Sequence, residues 1–289
     1  LYSRHSNFWQ RPMSISKIGR YEIESELAQG GMGLIFLARD PYMHRQVIVK
    51  VLMYNRTLDD VNREFFQREA ELIATLEHPC IVPVYDFGWH GQQPYIVMRY
   101  MSGGSLDDRL KTQGEIKISE AAHILKRVAD ALDAAHAKNI VHRDVKLSNI
   151  LFDNTGEAFL SDFGIAKSQK IVDDEGEWLV GTPAYMSPEQ TKGENVDGRS
   201  DVYAMGVVLY RLLTGQLPFS SNSTTALLNA HSELPIPDVR KVKDNIPAVW
   251  QEVITKSMAK DRNDRYATAG DFARDVQEVA TGKWFLRKL

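Results

Sequence analysis

The sequence predicts an α+β chain in two lobes, a small strand-rich one followed by a larger, mainly α-helical one. Three observations carry this. Short apolar runs with strand-like alternation fill residues 21–101. Longer stretches with apolar residues at helical spacing dominate residues 102–282. Between them Ser102-Gly103-Gly104-Ser105 is the most linker-like stretch, and the lobe boundary is placed there. A chain of 289 residues, 43% hydrophobic and 25% charged, is long and apolar enough to bury such a core.

Residues 1–20 mix Ser, Arg and Asn with Phe8, Trp9 and Pro12 and show no periodicity, which reads as a flexible extension. Tyr21, Ile23, Ser25 and Leu27 then alternate with Glu22, Glu24 and Glu26, the pattern of a half-exposed strand. The loop Ala28-Gln29-Gly30-Gly31-Met32-Gly33 opens into a second strand, Leu34–Ala38. Its glycines allow tight turns and close approach of a ligand, with free N–H groups available to phosphate. A dinucleotide-binding loop would open into a helix instead. Val47-Ile48-Val49-Lys50 forms a further strand ending in a lysine.

An amphipathic helix follows, from about 59 to 76, with Val61, Phe65, Leu72, Ile73 and Leu76 on its apolar stripe. Glu69 points with that stripe, whereas Glu64 and Glu71 face water. An inward carboxylate needs a partner, and Lys50 is the candidate. Strands run through Tyr85 and over Pro94–Met98. Beyond the linker, Ser119 caps a helix with Ala121, Ile124, Leu125, Val128, Leu132 and Ala135 on one face. Asp201 heads the run Val202–Tyr210, apolar almost all round and so a helix for the middle of a core. Helices from Ala248 to Met258 and from Thr268 to Thr281 close the domain, leaving 283–289 as a tail.

The chemistry concentrates in His142-Arg143-Asp144-Val145-Lys146-Leu147-Ser148-Asn149 and in Asp162-Phe163-Gly164. Between them Ile150–Phe152, a turn over 153–156 and Ala158–Leu160 read as a hairpin. Folding it brings Asn149 opposite Asp162, within a residue or two of register. Two oxygen ligands at one end of a rigid hairpin suit Mg²⁺, which takes few protein ligands and leaves room for phosphate. Asp144, on the loop leading to the same end, is placed as a base that accepts a proton.

These residues, in this order and at hairpin spacing, resemble the catalytic core of the protein kinases. The resemblance covers about Tyr21 to Ala280, and LAQGGMG with GTPAYMSPEQ looks most like the bacterial Ser/Thr kinases of the eukaryotic (Hanks) type. It implies a bilobal protein-kinase fold whose small lobe carries one regulatory helix. It implies ATP as phosphate donor, with Mg²⁺ or alternatively Mn²⁺, and Ser/Thr hydroxyls of proteins, including its own, as acceptors. Lys50, held by Glu69, would grip the α and β phosphates; Asn149 and Asp162 would hold the metal; Asp144 would orient the acceptor; Lys146 would steady the γ phosphate. Ala28, Gly30, Gly31, Gly33, Ile35, Ile48, Met98, Arg99, Met101 and Leu151 would surround the nucleotide. Asp201 would bond back to the catalytic loop, and Arg265 would pair with Glu189 of the Ser-Pro-Glu motif. The chain departs from the family at Ala28 (usually Gly), Ile48 (usually Ala, over the adenine ring) and Arg99 (commonly Glu).

Other classes are disfavoured. A net charge of −3 argues against a nucleic-acid or anionic-membrane binder. One cysteine, Cys80, beside Ile81 and Val82, excludes an internal disulfide and reads as buried and inert in a reducing compartment. No apolar run reaches transmembrane length. The first residue is Leu1, which reads as a piece of a longer chain, cytoplasmic in this part and open to anchoring elsewhere and to dimerisation. Besides an active kinase, the departures at Ala28, Ile48 and Arg99 raise a pseudokinase that binds nucleotide or acts as a scaffold. A third reading, a kinase-fold enzyme acting on a small molecule, is disfavoured by the GTPAY and Ser-Pro-Glu segments, which in the family form a peptide platform.

Residues 171–178 contain no Ser, Thr or Tyr, although many kinases are switched by phosphorylating the middle of this segment. Two readings stand: a solvated acidic loop, or Asp173, Asp174 or Glu175 meeting Arg143 in place of phosphate. The nearest hydroxyl on the substrate side is Thr182.

Overall fold

The structure, a computed structural model, describes residues 15–30, 33–52, 60–163, 171–172, 178–179 and 182–284. Its contacts divide the chain into two compact units, one of residues 1–61 and 84–100, the other of 62–83 and 101–289.

The first unit is built on β1 (Lys17–Ile18), β2 (Tyr21–Gly30), β3 (Gly33–Asp40), β4 (Arg45–Val51), β5 (Val84–His90) and β6 (Gln93–Arg99), paired antiparallel in the order β1-β2-β3-β4-β6-β5. The period of two sorts the residues cleanly. Leu34, Phe36 and Ala38, with Val47, Val49, Val51, Tyr95 and Val97, form one apolar core with Ile18 and Tyr21. Each Val, Leu, Ile or Phe among them contributes roughly 1.5–3 kcal/mol on burial. The other face carries the chemistry, as described below.

Two expectations for this unit change. Ile18 is fully buried and paired to Tyr21, so the expected flexible extension does not reach 15–20; residues 1–14 lie outside the described set. Leu27, expected on the covered side of its strand, is 50% exposed. The register of β2 on β3 slips at Ile23/Ser25 and again at Glu26/Ala28, and each irregularity breaks the alternation.

In the second unit, α1 (Asp60–Ala74) runs shorter than its predicted span. Its buried residues are Phe66, Ala70 and Ile73, with Leu76 beyond its end, whereas Leu72 is 48% exposed. Of the predicted stripe, Ile73 and Leu76 are thus buried and Leu72 is not, since the buried row runs i, i+4, i+7 from Phe66; the side chains of Val61 and Phe65 lie outside the described set. α2 (Leu106–Gln113) is capped by Ser105, whose side chain exchanges bonds with Asp108. α3 (Ile118–His136) buries all six predicted apolar positions, but it starts before Ser119; its N-cap is Lys117, with no side-chain cap bond.

The hairpin β7 (Ile150–Phe152) and β8 (Ala158–Leu160) pairs Ile150 with Leu160. Its turn is tied by Asp153 Oδ1, which accepts the amides of Thr155 and Glu157. Neighbouring backbone extends this small sheet on both sides. The Val82 amide donates to Leu160 O, and Gly103 and Phe152 bond through the carbonyls of Phe152 and Gly104. Cys80 is buried here, and burial pushes its thiol pKa up, as an inert cysteine requires.

After two short strands, β9 (Ile171–Val172) and β10 (Trp178–Leu179), come α4 (Pro188–Thr191) and α5 (Gly198–Thr214). Residues 200–210 of α5 are all buried, which makes it the helix around which α3, α8 (Val249–Ser257) and α9 (Ala269–Ala280) pack. α6 (Thr224–Glu233) and α7 (Val239–Val242) complete the unit. Among the described residues no helix is long and apolar enough to cross a membrane.

Candidate active site

In the first unit the sheet brings one set of predicted residues to a single face. Directly paired residues share a face, and the pairs run Ala28–Ile35, Ile35–Lys50, Leu37–Ile48, Ile48–Met98 and Lys50–Ile96. Ala28, Ile35, Ile48, Lys50 and Met98 therefore lie together, opposite the apolar core. Lys50 and Met98 are each 6% exposed, while Ile35, Ile48 and Arg99 are half-buried and Ala28 is exposed. Gly30 pairs with Gly33 at the tip of β2 and β3; Gly31 lies outside the described residues. Gly33 (φ +130°) is required by the protein itself, since a Cβ there would lie 2.0 Å from the Val51 carbonyl oxygen. Glu69 lies within α1, and its side chain is outside the described set.

In the second unit the catalytic-loop candidates converge. Asp144, 5% exposed, is held on both oxygens. Oδ1 accepts from the Thr182 amide at 3.1 Å and the Thr182 hydroxyl at 2.8 Å. Oδ2 lies 2.6 Å from Lys146 Nζ and accepts from Asn149 Nδ2 at 3.1 Å. Lys146 also donates to Thr182 Oγ1 at 2.6 Å, so that hydroxyl accepts from the ammonium and donates to the carboxylate. Five charge-assisted or neutral bonds thus fix three side chains that motif spacing alone put near one another.

Asn149 also donates Nδ2 to the Asp144 carbonyl at 2.8 Å, which turns its Oδ1 to the opposite side of the planar amide. The hairpin register places Asn149 opposite Ser161, with Asp162 one residue further, inside the predicted tolerance. Ser161 secures the junction by donating both its amide (2.9 Å) and hydroxyl (3.0 Å) to Asn149 O. Among the described residues no group of three or more His, Cys, Asp or Glu could hold a metal. The donors that remain, an amide oxygen and a carboxylate, fit a hard divalent cation that takes its other ligands from phosphate and water.

The loop itself is held from beneath. Asp201 of α5 accepts the amides of His142 (2.9 Å) and Arg143 (2.8 Å), and its Oδ2 lies 2.7 Å from His136 Nε2. Burial opposes the charge on His136, but the bond to Asp201 and its negative charge outweigh that and raise the imidazole pKa. These bonds support left-handed backbone at Arg143 (φ 70°); Asp162 (φ 65°) is the second such residue in the site. Non-glycine residues hold this conformation only where their surroundings impose it, at about 1–3 kcal/mol each. The fully buried His142 accepts the Asp144 amide at Nδ1 (3.2 Å) and so donates Nε2–H to Ser161 O (2.8 Å), joining loop and hairpin; its ring packs on Phe163.

Arg143 has a buried Nε with no hydrogen-bond partner among the described residues, while its carbonyl accepts from Gln190 at 2.9 Å. Asp173, Asp174 and Glu175 lie outside the described residues. Glu189 is grouped with none of the others: it is buried against Arg265, with two bonds of 2.7 Å and a further one from Ser200. Met101 (buried) and Leu151 (half-buried) belong to the second unit, the latter bridged to Ser105. The sequence reading missed Ser161 and Gln190, which bond to Asn149 and Arg143 of the catalytic loop from 12 and 47 positions away, and His136, which reaches the loop through Asp201. Only Gln190 stood in a quoted motif.

A strand-rich unit with a buried lysine on one sheet face, and a helical unit with this catalytic loop, define a phosphoryl-transfer domain of the kinase class. The chain belongs to the protein kinase domain family, whose model matches residues 21–285. It is 40% identical over 275 residues to the serine/threonine-protein kinase PknB of Mycolicibacterium smegmatis, covering 91% of this chain and 43% of that protein. It is 36% identical over 262 residues to PrkC of Bacillus subtilis, another serine/threonine-protein kinase, covering 90% of this chain and 40% of that one. The chain thus spans about two fifths of the length of the curated relatives it matches. The crystal structure of the Mycobacterium tuberculosis PknI kinase domain is similar in fold, with a TM-score of 0.74 and 28% identity over 91% of this chain and 97% of that one. Membership of the family carries ATP and a divalent metal with it.

Proposed function

We propose that this chain is an active Ser/Thr protein kinase domain that transfers the γ-phosphoryl group of ATP to protein hydroxyls, its own included. The observation that supports it best is the bond set joining Asp144, Lys146, Thr182 and Asn149. Phosphoryl transfer needs positioning and charge neutralisation more than covalent chemistry. Asp144 orients the acceptor hydroxyl and takes its proton. Its carboxylate is held in place by donors on both oxygens, which fixes where it meets the acceptor hydroxyl. Lys146 is poised to exchange Asp144 for a phosphate oxygen. Thr182, bonded to both, ties their geometry to the segment that receives the acceptor. A lysine at that place in the loop, with Thr182, favours Ser/Thr over Tyr as acceptor.

Asn149 and Asp162 would hold Mg²⁺, or Mn²⁺ in its place, which when bound neutralises phosphate charge. Lys50 would hold the α and β phosphates, braced by Glu69, with Ala28, Gly30, Gly31, Gly33, Ile35, Ile48, Met98, Arg99, Met101 and Leu151 around the nucleotide. We assign 21–101 and 102–282 as the small and large lobes. Cytoplasmic placement and protein substrates follow from the kinase reading and the single buried cysteine; dimerisation is left to hydrodynamic measurement. Incubation with radiolabelled ATP, with and without a generic protein substrate, tests the proposal. Label in neither the substrate nor the chain itself would refute it.

A further inference from the structure

The outer edge of β8, the strand that leads into Asp162, is closed partly by backbone and partly by a side chain. The segment after α1 lies along it: Leu160 donates its amide to Cys80 O at 2.8 Å and accepts the Val82 amide at 2.9 Å, with Ile81 opposite Leu160 in a parallel bridge. Leu160 thus turns both backbone groups outward, and Ala158, two residues earlier on the strand, faces the same way. In a parallel ladder the Cys80 amide would meet the Ala158 carbonyl next. That amide is turned aside, donating to His78 Nδ1 at 3.2 Å within the turn at His78-Pro79.

The guanidinium of Arg127, from the middle of α3, fills the place. Its Nε donates to Ala158 O at 2.8 Å and its Nη2 to Pro79 O at 3.0 Å, while Nη1 lies 3.0 Å from Glu157 Oε2. Nε and Nη2 share one edge of a rigid plane, so they hold the two carbonyls at a fixed spacing, as two backbone amides would and a single ammonium does not. The guanidinium carbon lies 5.3 Å from the centroid of the Phe159 ring, and the side chain is mostly buried. Removing it would strand the carbonyl of the buried Ala158.

Two residues beyond Leu160, Asp162 holds left-handed backbone (φ 65°), a conformation that only its surroundings can impose. β7 holds the inner edge of the strand that delivers it; residues 80–82 and Arg127 hold the outer one. We propose that Arg127 is a positioning residue for the metal end of the hairpin: by closing the outer edge of β8 it holds Leu160, and through Leu160 the strained Asp162, where a divalent cation is bound. This rests on the reading of Asn149 and Asp162 as the metal holders. Its signature is a split between metal and acceptor. Asp144, Lys146 and Thr182 are fixed by bonds to one another, and their loop by Asp201, none of which involves Arg127.

The test compares Arg127→Met, which keeps an apolar stem and loses the donors, with Arg127→Lys and Lys138→Ala. Lys138 is a control: it follows the same helix and donates to Thr75 O at 2.6 Å, pinning the end of α1 without touching the hairpin. Mn²⁺ alone is titrated into the nucleotide-free chain and read by the EPR signal of the free ion, the site's share being what Asp162→Asn removes. Hydrogen exchange is followed at the Val82 and Leu160 amides, and kinetics give the Mg²⁺ needed for half-maximal turnover and KM for a Ser/Thr peptide. Arg127→Met should exchange faster at both amides and bind Mn²⁺ about three- to tenfold more weakly, the worth of one hydrogen bond. The Mg²⁺ requirement should rise equally, with KM for the peptide unchanged. Arg127→Lys should recover part of the loss, and Lys138→Ala should leave metal affinity as it was. Unaltered Mn²⁺ affinity in a folded Arg127→Met, an equal rise in KM for the peptide, or the same metal defect in Lys138→Ala would overturn the proposal. Should Arg127→Met not fold, wild-type exchange and Mn²⁺ affinity in Arg127→Lys would overturn it equally. A wild-type chain from which Asp162→Asn removes no Mn²⁺ binding would instead overturn the metal reading, and the exchange data, which need no metal, tell the two failures apart.

Discussion

Replacing Glu189 by Gln removes one charge from the most deeply buried ion pair among the described residues. The Glu189 and Arg265 side chains are 3% and 0% exposed, joined by two bonds of 2.7 Å, so solvent screening is slight. Burial alone would raise the Glu189 pKa, yet the bonds from Arg265 and Ser200 hold it down at about 2, against an ordinary 4.5. That difference corresponds to about 3 kcal/mol of interaction. A depressed carboxyl contributes stability that is complete above pH 4.5 and is lost as the pH falls towards 2, so the whole contribution is present at neutral pH. Leaving a buried charge unpaired costs about 3–5 kcal/mol by a separate argument. Both routes agree, and the loss is a large part of a typical 5–15 kcal/mol. Urea unfolding at pH 7 should show a lowered midpoint for Glu189→Gln with an unchanged slope. Arg265→Met should cost more still, because it also strands the carbonyls of Ala259, Arg199 and Lys260. A loss under about 1 kcal/mol for Glu189→Gln, or an Arg265→Met variant that is the more stable of the two, would refute the reasoning.

Asp144→Asn should keep ATP binding, measured by nucleotide titration, and lose most phosphoryl transfer; a fall in turnover of less than about tenfold would remove Asp144 from the role of base. Ile48 shares its sheet face with Lys50 and Met98, so Ile48→Ala should alter nucleotide affinity and admit bulkier adenine analogues, by about 1–3 kcal/mol. An unchanged profile across such analogues would take Ile48 off the pocket wall. Replacing Asp173, Asp174 and Glu175 together by Asn and Gln should lower kcat in phosphatase-treated protein, because Arg143 keeps a buried Nε with no described partner. Full activity of that variant would leave only the solvated loop.

Much of this site was legible because its parts are close in sequence. Asp144, Lys146 and Asn149 lie within six residues, and the hairpin after them has a turn signal, so their meeting needs only local geometry. Strand alternation likewise put Ile48 and Lys50 on one face. The failures have equally local causes. Two register slips in β2 exposed Leu27, and bulges leave no apolar signature. On α1 the stripe held at Ile73 and Leu76 and failed at Leu72, which is apolar but lies just outside the row formed by Phe66, Ala70 and Ile73. Ser119 has the chemistry of a cap, yet the helix begins one residue before it at Ile118, where Lys117 extends without a side-chain bond. Asp201 and His136 act through partners distant in the chain, and only the resemblance to a family pointed to the first of them.

The small sheet around β7 and β8 also bears on how the chain can be cut. Neither compact unit is one continuous stretch: the polypeptide crosses between them after Val61, after Pro83 and after Tyr100. The second crossing leaves, and the third returns, beside the same hairpin, with Ile81 and Val82 bonded along β8 and Gly103 and Gly104 along β7. A fragment begun at Met101 would carry every catalytic-loop residue but lose the backbone partner of Leu160, baring a strand edge made of Ala158, Phe159 and Leu160. Such an edge invites pairing with other copies. The larger unit is therefore not separable by a single cut at the linker, and residues 62–83 must travel with it.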